Sequence, residues 1–130
     1  YANVPVGTTD DIGTDNQTYY AQYSKIIREL HTISPNAYIF CQTMPFGLAT
    51  YNNAIVTIAS TYANSYNTKL LDLRNYTKYY NMSSVAQNVS HGHYLAAGYQ
   101  QLAEILNIVL SDYINAHPQE FRNVNTIPYN

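Results

Sequence analysis

Ala37-Tyr38-Ile39-Phe40-Cys41-Gln42-Thr43, running into Met44-Pro45-Phe46-Gly47, is the stretch that decides the fold. A compact apolar run ended by a Pro and Gly turn reads as a buried strand. Behind it Ala54, Ile55, Ile58, Ala59 and Tyr62 recur at three-and-four spacing, which predicts a helix with one apolar face. Asn64 to Thr68 is a turn, and Lys69-Leu70-Leu71-Asp72-Leu73 is a second compact apolar strand. Strand, helix and strand with short links form a crossover unit. Such crossovers are right-handed and join parallel strands.

The same alternation extends both ways. Upstream, Ala2 to Val6 is a short apolar run ending at Gly7 and is expected to be a strand, although Pro5 has no amide to give a ladder. Gly7 to Asn16 is a polar loop, and Asp15 or Asn16 is the expected cap of the next helix. That helix carries Tyr19, Tyr23, Ile26, Ile27 and Leu30 at helical spacing and stops before Ser34-Pro35-Asn36. Downstream, Arg74 to Val89 is irregular and Tyr-rich. A last helix shows a wide apolar stripe of Leu102, Ile105, Leu106, Val109, Leu110, Tyr113 and Ile114. His117-Pro118 closes it, and residues 117–130 are expected to wrap the surface. The expectation is an α/β chain with three parallel strands. Functional groups in such sheets gather at the carboxyl ends of the strands. Here those ends are the Gly7 loop, the Thr43-Met44-Pro45 turn and the loop leading to His93, all opening on one edge.

A length of 130 residues allows a single domain, 1–130. The net charge is −2 and charged residues make up 11%, so no basic patch exists to bind nucleic acid. No run is long enough to cross a membrane, and no secretory signal opens the chain. The first residue is Tyr1 rather than Met, from which a processed, cleaved or partial chain is expected. Hydrophobic residues reach 46%, which supports a folded core. The 15 Tyr, against 3 Phe and no Trp, fit either a compositional bias shared with the abundant Asn or a surface that meets sugars. The single Cys41 excludes an intrachain disulfide, and its apolar neighbours make it a buried structural thiol rather than a nucleophile.

The residues that carry chemistry lie in Ser90-His91-Gly92-His93-Tyr94-Leu95-Ala96-Ala97-Gly98-Tyr99-Gln100. An imidazole with a pKa of about 6.5 can accept a hydroxyl proton at neutral pH, and His93 stands just ahead of an amphipathic helix. His91 and His93 alone fall short of a metal site, and His31 and His117 lack ligand spacing. Asp10, Asp11 and Asp15 lack the spacing and the Glu of a calcium loop, and serve turns and caps instead. Neither metal nor cofactor is expected. Tyr76, Tyr79 and Tyr80 read as loop packing, with sugar stacking as the lesser reading.

Together these motifs resemble the C-terminal portion of the SGNH/GDSL hydrolase family, over almost the whole chain. Val6-Gly7-Thr8-Thr9-Asp10 is similar to the family's Gly-x-Asn-Asp block, and Thr43-Met44-Pro45 to the turn after the next strand. Leu70-Leu71-Asp72-Leu73 is similar to the strand before the last block. Ser90-His91-Gly92-His93, with Gly98-Tyr99, resembles the Asp-x-x-His block and its helix entry. His117-Pro118-Gln119-Glu120-Phe121-Arg122-Asn123-Val124 resembles the end of a subgroup common in Gram-positive bacteria and their phages, in tail or cell-wall-associated proteins. The resemblance implies a flavodoxin-like three-layer α/β/α fold of which this chain is the C-terminal half. It implies a serine esterase acting on O-acyl groups of carbohydrates or on small esters, located outside the cell, on the cell wall or in a virion.

On that resemblance His93 is the catalytic base, and Gly7, Thr9 and Asp10 are the oxyanion and binding positions. Ser90 stands in the third-triad position, where the family has Asp, and Thr9 stands where it has Asn. A hydroxyl gives one donor where an amide gives two. Gly13-Thr14-Asp15-Asn16 is a second register for the same block. The nucleophile and glycine blocks would precede Tyr1, so an upstream segment or second chain is the expected partner, docked beside Ala2–Val6, and an oligomer or virion assembly is a further possibility. The alternative is a catalytically degenerate module that binds a cell-surface glycan or builds a phage tail.

Overall fold

The computed structural model describes residues 4–44, 49–75, 89–90 and 93–121, with the backbone alone at 89–90 and 93–94. The chain divides into two compact units, residues 1–77 and 78–130.

The first unit is mixed α/β. It runs through a 3-10 turn at Thr9–Asp11, α1 at Tyr19–Ile33, β1 at Ile39–Gln42, α2 at Ala49–Tyr62 and β2 at Thr68–Leu71. β1 and β2 pair in parallel, Ile39 opposite Thr68 and Gln42 opposite Leu71, with α2 as the crossover. The backbone bonds continue past both ends: Ile39 N donates to Asn67 O at 3.1 Å and Thr43 N to Leu71 O at 3.0 Å. Asn67 enters β2 at φ 52°, a left-handed conformation that Asn tolerates better than most residues.

The five apolar residues anticipated for α2 are all buried, and Ile55, Ile58, Ala59 and Tyr62 form one cluster with Ile27 and Cys41. Each large aliphatic side chain withdrawn from water contributes about 1.5–3 kcal/mol. Tyr19, Tyr20, Tyr23 and Tyr66 pack against that cluster, so part of the tyrosine excess is core material. Tyr62 and Tyr66 meet edge to face at 4.7 Å, as do Tyr19 and Tyr51 at 4.9 Å, the arrangement that the ring quadrupoles favour. The one polar side chain β2 points into the core is satisfied: Thr68 Oγ1 donates to Ala59 O at 2.7 Å.

Three expectations for this unit are corrected. Val4–Val6 is not a strand, and the parallel sheet among the described residues has two strands instead of three. The carbonyls of Pro5 and Val6 accept the amides of Tyr19 (2.9 Å) and Tyr20 (3.1 Å), the first two residues of α1. A helix start carries unsatisfied N–H groups, and this segment satisfies two of them instead of joining a ladder. The cap of α1 is Thr18, not Asp15 or Asn16; its side chain accepts from Ala21 N at 3.2 Å. Finally, Ile26 and Leu30 are 55% and 46% exposed, because α1 buries the face of Ala21, Ser24 and Ile27.

The second unit contains β3 at Val89–Ser90, β4 at His93–Tyr94, α3 at Ala96–Ala116 and α4 at Pro118–Phe121. β3 and β4 form an antiparallel ladder, a correction to the loop expected there. A two-residue strand is too short for a period to be seen. In α3 Ile105 and Val109 are buried and Leu102, Leu106, Leu110 and Tyr113 are half-buried, whereas Ile114 is 37% exposed. His117 ends α3 with its amide on Tyr113 O, and its ring stacks on Tyr113 at 4.2 Å. The tail therefore begins as a helical turn; residues 122–130 lie outside the described ones.

Candidate functional site

The carboxyl ends of β1 and β2 are tied by side chains. Fully buried Thr43, the residue after β1, donates its hydroxyl to Asp72 Oδ1 at 2.8 Å. Thr43 Oγ1 also accepts Arg74 N at 3.0 Å, and Asn75 Nδ2 donates to Asp72 Oδ2 at 2.6 Å. The turn leaving β2 is thus fastened to the end of β1. Beside it Asn52, fully buried in the first turns of α2, grips Met44 twice: Oδ1 accepts Met44 N at 2.8 Å and Nδ2 donates to Met44 O at 2.9 Å. Asn52 does for Met44 what a neighbouring strand would do, and Met44 itself is 37% exposed.

The Gly7 loop is organised around Asp11. Its carboxylate accepts Thr8 N at 2.9 Å and Asn16 Nδ2 at 2.7 Å. The Asn16 amide, the Thr8 N–H and the Thr18 hydroxyl, in that order, hold the Asp11 carboxyl below its ordinary pKa of 3.8. Gly7 sits at φ +79°, and a Cβ there would overlap Asp11 Oδ2 and lie 2.6 Å from Thr18 Cβ. Only glycine fits, for both reasons. Gly13 N donates to Ser24 Oγ at 3.2 Å and its carbonyl accepts Arg28 Nη1 at 2.9 Å, which fixes the far side of the loop to α1.

Of the residues singled out in the sequence, Gly7, Thr9 and Asp10 therefore share one loop of the first unit. Thr9 and Asp10 open the 3-10 turn with exposed side chains that make no hydrogen bond among the described residues. In the second register, Asn16 gives its amide to Asp11. Ser90 and His93 belong to the second unit, where they are register partners across the β3–β4 ladder. Tyr94 ends that ladder, and Leu95 caps α3. His91, Tyr76, Tyr79 and Tyr80 lie outside the described residues. Cys41 is buried, and burial pushes its thiol up in pKa, partly offset by a hydrogen bond with Tyr23.

The sequence reading missed Asn52 and the Thr43–Asp72 pair. A signal for Asn52 existed: it stands three and seven residues before Ile55 and Ala59, a polar residue on an apolar stripe. Such a residue is buried only with its hydrogen bonds met. The Thr43–Asp72 bond joins residues 29 apart, which no local pattern encodes. Among the described residues no group of three His, Cys, Asp or Glu side chains is placed to hold a metal ion, and no helix is long and apolar enough to cross a membrane.

No family model, no curated protein and no solved structure matches the chain.

Proposed function

We propose that this chain is the C-terminal portion of an SGNH/GDSL-type serine esterase, of flavodoxin-like three-layer α/β/α architecture. Its substrates would be O-acylated carbohydrates or small esters, and its place outside the cell, on the cell wall or in a virion. The observation that carries the reading is the β3–β4 hairpin. It sets position 90 opposite position 93 and leads within two residues into a long helix, and on the resemblance these are the outer positions of an Asp-x-x-His block ahead of the final helix. The parallel β1–α2–β2 unit and the glycine-dependent loop at Gly7 are consistent with it.

The 130 residues contain no Gly-Asp-Ser, so the nucleophile comes from a segment upstream of residue 1. His93 takes the proton of that serine as its oxygen attacks the ester carbonyl. The tetrahedral oxyanion collapses, and the alcohol leaves with the proton from His93. Water, deprotonated by His93, then releases the acid and restores the serine. On the resemblance Gly7, Thr9 and Asp10 of the first unit are the oxyanion and binding positions, and the Thr9 hydroxyl is exposed. The whole gene product should hydrolyse p-nitrophenyl acetate and take up a fluorophosphonate label, and His93→Ala should slow turnover by about 10²–10⁴-fold. Residues 1–130 in isolation should do neither, and a whole gene product that neither hydrolyses nor labels would overturn the reading.

Thr9 and Ser90, in the places of Asn and Asp, favour a second reading, a degenerate module that holds a cell-surface glycan or builds a phage tail. Glycan binding by the whole product without turnover would select it.

A further inference from the structure

We draw no further inference here: the strongest candidate, the exposed apolar stripe of Ile26, Leu30 and Ile33 along α1, carries nothing, because no feature of the structure shows what covers it.

Discussion

Thr43 and Asp72, 29 residues apart, share a 2.8 Å hydrogen bond that closes the carboxyl end of the parallel β1–β2 pair. Because Thr43 Oγ1 also accepts the amide of Arg74, one buried hydroxyl serves as donor and acceptor at once. Thr43→Val keeps the shape and removes both bonds, leaving an N–H and a carboxylate oxygen short of a partner. Urea unfolding should show a loss of about 2 kcal/mol, and Thr43→Ser should recover most of it.

Gly7→Ala places a methyl group against the Asp11 carboxylate and Thr18 at a positive φ. The left-handed backbone alone costs about 1–2 kcal/mol, and the overlap adds to it. The loop must open, so the Thr8 amide, now bonded to Asp11, should exchange faster with solvent as the melting temperature falls.

The Asp11 carboxyl is held below 3.8 by the donors around it. A folded pKa depressed below the unfolded one adds stability above the unfolded value. That stability is lost as pH falls through 3.8 toward the folded pKa. An NMR titration should place the Asp11 midpoint below 3.8, and Asp11→Asn should remove its share of the acid dependence of unfolding.

Burial raises the Cys41 thiol, so the folded state favours its neutral form. That contribution is complete below the unfolded thiol pKa and declines as pH rises through the folded one. Cys41 should resist a disulfide reagent in the native protein at pH 8 and react at a rate set by unfolding. Fast labelling without unfolding would contradict its burial.

Ser90→Asp tests the hairpin directly. Position 90 is the register partner of position 93, so on the proposed esterase reading Ser90→Asp restores the third triad member that the Asp-x-x-His block carries. In the whole gene product the variant should raise kcat several-fold on p-nitrophenyl acetate. In the His93→Ala background it should change nothing.

The crossover unit was legible in the sequence because its signals are local. The apolar run Ile39–Cys41, the stripe from Ala54 to Tyr62 and the run Leu70–Leu71 each declare a period or a length within a few residues. Burial of Cys41 followed from the same neighbours. The pattern of Val4–Val6 was equally apolar, yet its carbonyls went to the amides of Tyr19 and Tyr20. Thr18, not Asp15 or Asn16, caps α1, because the helix starts at Tyr19 and only Thr18 stands where its side chain can accept Ala21 N. Composition and period set which residues leave water, and the sequence by itself determined that much. Which backbone and side-chain donors meet which acceptors depends on groups brought together from distant positions. Only the tertiary structure decided the bonds of Asn52 to Met44 and of Thr43 to Asp72, and the opposition of Ser90 and His93.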